Sequence, residues 1–413
     1  MATGHSDQNT GGHKELELEL ELEITGLATG GEGVARLEGR VVFVPGGLPG
    51  DRVRVQILED RGRFLRGRIA AIVTPSLDRR PPPCPIADRC GGCPWMGLND
   101  AAQLEAKQAQ VAELLARVGG LSRDLVRPIV ASERTLEYRN RLRLHVERDR
   151  IGFREGSSRQ VVDVSRCRVA MPELTPLLEA ARTHLVCHFP LLTPLQLELY
   201  LQDDNRLLLG VSGARAALFR RFAPSLALPL EVRIDERPLD PRGTPRLPFA
   251  QANPFQNRRI IEAVVKALET TPSSHVLDLY AGAGNFSLPL ASQVEQVVGI
   301  EYSAAAVEEA NRRAPKNAQY QSADVVKALE AMIRRKERFD RVVLDPPRAG
   351  AREACGLLAQ LQPRRVAYVS CDPATLARDL KQLTAQGFRL EGVQPFDLMP
   401  QTSHVECLAI LSR

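Results

Sequence analysis

The stretch from Val276 to Glu301 constrains this chain more than any other. Val276-Leu-Asp-Leu-Tyr280 reads as a short buried strand, and Ala281 to Phe286 (A-G-A-G-N-F) as a glycine turn. Ser287 to Ala291 starts a helix, and Val297-Val-Gly-Ile-Glu301 is the next strand, closing on an acid 19 residues beyond Gly282. A lone Gly-x-Gly says little. Set between strand and helix, with that terminal carboxylate, it marks the ligand edge of a parallel sheet. The glycines let backbone approach a cofactor, and Glu301 is placed to accept from the hydroxyls of a ribose. The third glycine of a dinucleotide fingerprint is missing, with Phe286 near its place. That favours a cofactor without a pyrophosphate, and S-adenosyl-L-methionine fits. Asp324, after a third strand-like run, is a candidate for the adenine amine, and Val342-Val-Leu-Asp345 ends a fourth strand on the same edge. Any one of these acids alone reads as a solvated strand end; the series does not.

A further strand, Val366-Ala-Tyr-Val369, runs out at Ser370-Cys371-Asp372-Pro373, and a helical pattern follows through Leu376, Leu380 and Leu383. Pro373 suits a first helical turn, where its missing N–H costs nothing. Cys371 therefore sits where a strand hands over to a helix N-terminus, and the helix dipole is expected to lower its thiol pKa and favour thiolate. The bland alternative is a small buried hydrophobe.

The N-terminal half has a different texture. Residues 1–13 are polar and read as a disordered tail, and Glu15 to Ile24 alternate with a strict period of two. From Ile24 to Val73 short β-rich runs are separated by glycine turns, the pattern of a small Greek-key barrel of the oligonucleotide-binding type. The run V-F-V-P-G-G-L-P-G-D-R-V-R-V resembles the TRAM domain, an RNA-binding barrel. A proline-rich linker follows. Then Cys84, Cys90 and Cys93 stand in a C-x5-C-x2-C cluster on a Gly/Pro-rich loop, with three soft ligands able to wrap a metal or cluster. Cys167 is the best fourth ligand, because Cys187 lies in an apolar, core-like run; zinc is the competing occupant. Residues 100–118 form an amphipathic helix with Leu104, Val111, Leu114, Leu115 and Val118 on one face. From Tyr138 to Leu239 strands mix with a helix near 172–187.

At 413 residues the chain is long enough for two or three domains, and 44% apolar with 25% charged content is that of a globular protein. No apolar run reaches membrane-spanning length and no signal core opens the chain, so a cytoplasmic location and thiols rather than disulfides are expected. Residues 1–23 carry −5, so the remainder carries +10 of the net +5. Arg61, Arg63, Arg66, Arg68 and Arg139, Arg141, Arg143 recur at alternate positions, which would stripe one face of a sheet and suit a polyanion such as nucleic acid.

Assembled, these residues resemble the RNA uracil-C5 methyltransferases, which make 5-methyluridine in ribosomal and transfer RNA. The likeness rests on the barrel, the C-x5-C-x2-C…C set, F-A-Q-A-N-P-F-Q-N (249–257), L-D-L-Y-A-G-A-G-N-F (277–286), L-D-P-P-R-A-G (344–350), V-S-C-D-P-A-T-L-A-R-D-L (369–380) and H-V-E (404–406). It implies a multidomain α/β protein: a tail over 1–14, a TRAM-like RNA-binding barrel over 15–74, a central α+β domain over 75–245 bearing the cysteine loop, and a Rossmann-like class I methyltransferase domain over 246–413. It implies a 4Fe–4S cluster on Cys84, Cys90, Cys93 and Cys167. S-adenosyl-L-methionine would be bound through Gln251, Tyr280, Asn285, Glu301, Asp324 and Asp345. Having both barrel and cluster cysteines, the chain is most similar to the 23S rRNA branch.

The chemistry fits the spacing. Attack of a Cys371 thiolate at uracil C6 would create carbanion character at C5, which then takes the methyl group. Glu406 is the candidate base for the C5 proton, with a pKa raised by its pocket; His404 and Asp372 are weaker alternatives. Gln251 and Arg348 are candidate donors to the uracil carbonyls. The target base must be splayed or flipped out of structured RNA, and the cluster is expected to fold the loop 84–97 against the RNA. Cys187 and Cys407 are assigned to packing, and a monomer is expected. The rivals are a tRNA uracil-54 methyltransferase and a non-catalytic RNA-binding or assembly factor.

Overall fold

The structure is a computed structural model that describes residues 19–147, 149–156, 158–185, 195–202, 204–213, 216, 230–235 and 251–413. The expected tail, the first residues of the alternating run, Cys187, and Phe249 and Ala250 of the 249–257 motif lie outside them. The chain divides into two compact units, residues 1–81 with 97–99, and residues 82–96 with 100–413.

The first unit is one six-stranded sheet built from β1 (Glu19–Glu23), β2 (Gly26–Leu27), β3 (Gly33–Leu37), β4 (Arg40–Val44), β5 (Arg52–Asp60) and β6 (Phe64–Thr74), in the order β1-β5-β6-β4-β3-β2. Alternate residues enclose a core of Ala35, Val42, Val44, Val53, Val55, Ile57 and Leu65, as a period-two pattern requires. Gly67 is obligatory in β6, because a Cβ there would meet the Val55 side chain at 2.3 Å and the Gln56 carbonyl at 2.9 Å. Arg66 and Arg68 share the exposed face of β6, whereas Arg61 and Arg63 fall in the turn before it, so the expected stripe is half its length. Arg66 pairs with Glu32, and Arg68 donates to Gln56.

In the second unit a mixed sheet runs β12-β11-β10-β7-β8-β9, from β7 (Arg141–Glu147), β8 (Arg150–Arg154), β9 (Val161–Asp163), β10 (Leu195–Leu201), β11 (Leu207–Ser212) and β12 (Leu230–Asp235). Leu177, Leu178 and Ala181 of α2 (Thr175–Leu185) cover its buried face. Arg141 and Arg143 alternate along β7 as expected, but both are drawn to buried Glu198 of β10. That carboxylate cannot be buried without positive partners, so these two arginines serve the fold first.

The seven-stranded sheet reads β15-β14-β13-β16-β17-β19-β18. Its strands are β13 (His275–Leu279), β14 (Gln296–Glu301), β15 (Ala318–Ser322), β16 (Arg341–Leu344), β17 (Arg365–Ser370), β18 (Arg389–Phe396) and β19 (Glu406–Ser412). β13 to β17 are mutually parallel, and β19 is antiparallel to β17. Chain order reverses direction between β13 and β16, the switch point beyond whose carboxyl strand ends ligands bind in sheets of this kind. The helices α3 (Pro254–Leu268), α4 (Ser287–Leu290), α5 (Ala304–Arg313), α6 (Val325–Arg334), α7 (Arg352–Leu361) and α8 (Pro373–Ala385) flank the sheet. α1 (Asp100–Arg117) packs Val111 and Leu115 into the same core. Its buried face differs from the expected one: Gln103 and Lys107 are buried where Leu104 is only half-buried. A hydrophobic stripe cannot reveal polar side chains that are buried because they have partners. No helix among the described residues is long and apolar enough to cross a membrane.

Candidate active site

Of the expected cofactor residues, Tyr280, Asn285, Glu301, Asp324 and Asp345 sit at the carboxyl ends of these strands or on the turn beside them, and Gln251 precedes α3. Tyr280 follows β13 with φ +63, a left-handed conformation that costs a non-glycine residue about 1 kcal/mol. Gly282 and Gly284 continue the turn at φ +55 and +83. At Gly284 a Cβ would also meet the Leu288 side chain at 2.7 Å. Glu301 ends β14; its Oε2 accepts from the Gly282 amide at 3.1 Å and its Oε1 from the Ser303 amide at 2.7 Å. Both oxygens are thus oriented, with lone pairs to spare for hydroxyl donors. Asp324 follows β15 and caps α6, accepting from Lys327 N at 3.1 Å. Asn285 exchanges hydrogen bonds of 2.9 and 3.1 Å with Asn257 of α3, joining the glycine turn to the 249–257 motif. Gln251 is half-buried two residues ahead of Asn253, the N-cap of α3.

Ser370 of β17 pairs with Cys407 of β19. The ladder ends at this pair, so Cys371 stands just past the end of β17 and Glu406 opens β19, close enough for the Glu406 charge to act on the thiol. Glu406 is 4% exposed, and burial raises its pKa well above the ordinary value, with Asp345 adding to the rise and Arg348 opposing it. Asp345 directly follows β16; burial and then Asp278 push it up to about 7. Asp278 lies inside β13 and is likewise pushed up to about 7, chiefly by burial.

The thiol differs from expectation. Cys371 is pushed up to about 11, first by burial and then by Glu406, and only Arg348 and its own amide pull the other way. Two facts explain why the helix dipole does not win. Asp372 caps α8, its Oδ1 accepting from Ala374 N at 3.0 Å and Thr375 N at 2.9 Å, so these amides already serve an anion. The neighbouring carboxylates then repel a second negative charge. His404 has an exposed surface, and its pKa is lowered, first by desolvation and then by the positive charges of Arg348, Lys107 and Arg139.

Sequence reasoning missed Asp278, although an acid within the apolar strand V-L-D-L-Y is itself a signal. It also missed Asp379, which sits on the buried stripe of α8 between Leu376 and Leu383.

Away from this edge, Cys84, Cys90, Cys93 and Cys167 are free, half-buried thiols, and the pKa values of Cys90, Cys93 and Cys167 are each raised in part by neighbouring sulfurs of the set. Burial dominates each rise, and Cys93 is pushed up to about 12. The Gly92 amide serves the Cys90 sulfur, and those of Val169 and Ala170 serve Cys167. Gly91 packs so tightly on β8 and its turn that a Cβ would meet Arg154 O and Gly156 Cα at 3.0 Å. Among the described residues, no three His, Cys, Asp or Glu side chains are spaced to hold a single metal ion. Four soft sulfurs supplied with N–H donors fit an iron–sulfur cluster in donor chemistry. Cys355 and Cys407 are fully buried, as packing residues are.

Residues 232–413 match the family model described as tRNA (Uracil-5-)-methyltransferase, and residues 18–70 match that of the TRAM domain. The chain is 37% identical to an uncharacterized RNA methyltransferase of Gloeobacter violaceus, the match covering 94% of this chain and 95% of that one. It is 35% identical to the 23S rRNA (uracil(1939)-C(5))-methyltransferase of Vibrio parahaemolyticus, over 93% of both chains. The identity is again 35% to the enzyme of that name from Pseudomonas aeruginosa, over 94% of this chain and 92% of that one. Among solved structures, the Pyrococcus abyssi tRNA (uracil-54, C5)-methyltransferase in complex with S-adenosyl-L-homocysteine superposes with a TM-score of 0.73 at 23% identity, covering 95% of this chain and 100% of its own. Fold, motifs and full-length relatives agree: the chain belongs to the RNA uracil-C5 methyltransferase family, with an N-terminal TRAM domain.

Proposed function

We propose that this protein methylates C5 of a uracil in 23S rRNA, with S-adenosyl-L-methionine as methyl donor. The single observation that carries the reading is the proximity of Cys371, just past β17, to Glu406 at the start of β19, beyond the Ser370–Cys407 pair that ends the ladder, in the sheet where Glu301 holds the glycine turn. Glu301 would hold the ribose hydroxyls, Asp324 the adenine, and Gln251, Tyr280, Asn285 and Asp345 the rest of the cofactor. When bound, the donor supplies an electrophilic methyl group at C5.

The Cys371 thiol gives its proton to solvent, the thiolate sulfur adds to C6, and the C5–C6 π electrons move to C5 and O4. Arg348, whose positive charge stabilises the anionic forms of both Cys371 and Glu406, assists at this point. C5 would then take the methyl group, the broken S–CH3 bond leaving its electron pair on S-adenosyl-L-homocysteine. Glu406 then removes the C5 proton, the electrons restore the double bond, and the Cys371 sulfur leaves as thiolate. A buried carboxylate with a raised pKa is the stronger base for that step. Cys84, Cys90, Cys93 and Cys167 would hold a 4Fe–4S cluster of architectural role, since methyl transfer moves no electron. The TRAM domain, with exposed Arg66 and Arg68, would contact RNA phosphates.

Ribosomal rather than transfer RNA is favoured by the full-length relatives, which are named for 23S rRNA. The test is site-resolved mapping of 5-methyluridine in RNA from cells lacking the gene. Loss of one mark from 23S rRNA is expected; loss from tRNA alone would overturn the substrate assignment.

A further inference from the structure

The connection between β18 and β19 is a buried loop: Asp397, Leu398, Gln401, Thr402, Ser403 and Val405 are all buried. Buried loop backbone must find hydrogen-bond partners inside the protein. Four consecutive carbonyls do so, each from a different segment. Leu398 O accepts from Asn253 Nδ2 at 3.2 Å, and Met399 O from Lys107 Nζ at 3.0 Å. Pro400 O accepts from the Tyr138 hydroxyl at 3.0 Å, and Gln401 O from the Trp95 amide at 3.1 Å.

Gln401 closes the arrangement. Its amide donates to Gln103 Oε1 at 2.8 Å, while Gln103 Nε2 donates to Gln401 Oε1 at 3.0 Å and to Trp95 O at 3.1 Å. Gln401 is held at φ +69, a conformation that glutamine adopts only under tertiary constraint. Trp95 lies two residues past Cys93, and Tyr138 packs in one cluster with Cys84, Cys93 and Cys167. α1, the cysteine loop and the 249–257 motif therefore converge on the segment that ends five residues before Glu406.

We propose that Gln103 and Gln401 are positioning residues for the proton-removal step, clamping this loop so that Glu406 is presented dry and close to Cys371. The proposal rests on the reading of Glu406 as base and extends it. The cysteine loop is then the third arm of the clamp through the Trp95 backbone, and acts on the chemistry besides any contact with RNA. Loosening the clamp slows removal of the C5 proton without slowing sulfur addition, so the methylated covalent adduct builds up.

The test uses the full-length protein with a uridine-containing 23S rRNA fragment and S-adenosyl-L-methionine. Gln401→Gly keeps the left-handed backbone without strain, and Gln103→Met keeps the helix and the volume. Both should raise the covalently trapped fraction on denaturing gels about tenfold, with the rate of adduct formation within about twofold of wild type. The acid limb of turnover should move to lower pH as water reaches Glu406. A fall in turnover with no added adduct and an unmoved acid limb would overturn the clamp, as would unchanged turnover in both variants. Glu406→Gln separates the two ideas. If it traps adduct and the glutamine variants do not, the clamp alone is wrong; if it traps none, the base assignment fails and the clamp with it.

Discussion

Asp379 in the second turn of α8 accepts a hydrogen bond from the Tyr368 hydroxyl of β17 at 2.7 Å, tying together the strand and the helix that flank Cys371. The same oxygen accepts from the Ala351 amide at 2.7 Å, and Arg378 pairs with the other oxygen at 2.8 Å while donating to Ala349 O. One buried carboxylate thus ties the strand and helix on either side of Cys371 to the loop that carries Arg348. Gly350 completes the joint, since a Cβ there would sit 2.6 Å from Asp379 Oδ2.

Asp379→Ala leaves a hydroxyl, an amide and a guanidinium without their acceptor, and should destabilise the protein by about 3–5 kcal/mol. Tyr368→Phe removes a single donor and should cost about 1 kcal/mol. Urea unfolding measures both. Equal, small losses would mean that Asp379 is not the hub.

Cys371, pushed up to about 11, should be a thiol in the cofactor-free protein at neutral pH, with a thiolate fraction of about 10⁻⁴ at pH 7. Alkylation of Cys371 by iodoacetamide, followed by peptide mass spectrometry, should accelerate about tenfold per pH unit up to that value. Arg348→Ala should slow it further, because its charge favours the anion. A rate already level above pH 8 would show that the thiolate is preformed.

Asp278, pushed up to about 7 by burial, carries its proton in the fold at pH values where the unfolded chain has lost it. The folded state then binds more protons than the unfolded one. Stability is therefore greatest below the ordinary carboxylate value and falls as pH rises from about 4 to about 7. In the cofactor-free protein Asp278→Asn should raise Tm at pH 8, removing a penalty on the order of 4 kcal/mol, and do little at pH 4. Scanning calorimetry at the two pH values checks this; equal effects at both would contradict it.

Much of the site was legible in the sequence because backbone turns and strand ends leave local signatures. The glycine turn, the acid closing β14 and the Pro373 start of α8 each follow from a few adjacent residues. The polar network was not legible. Gln103 and Gln401, or Lys107 and Asp397, are some 290 residues apart and meet only after the sheet is built. Lys107 and Asp397 form a buried ion pair at 2.5 Å that no periodicity discloses. The Cys371 thiolate was misjudged for a related reason. The dipole of α8 is local, but the carboxylates opposing it arrive from β16 and β19.

Protein prepared without oxygen should contain about four iron and four sulfide per chain, with brown colour bleached by air. Cys167→Ser should lower both contents and the unfolding temperature. Elemental analysis decides, and one zinc with no iron would reassign the site.

The central claim is that sulfur adds to the pyrimidine ring. A 23S rRNA fragment with 5-fluorouridine at the target position tests it most directly, because fluorine at C5 cannot leave as a proton and the adduct persists. Incubation with the protein and S-adenosyl-L-methionine, digestion and mass spectrometry should find the Cys371 peptide carrying the methylated nucleotide, and none with Cys371→Ala. Full methylation of unmodified RNA by Cys371→Ala, or an adduct at another residue, would contradict it.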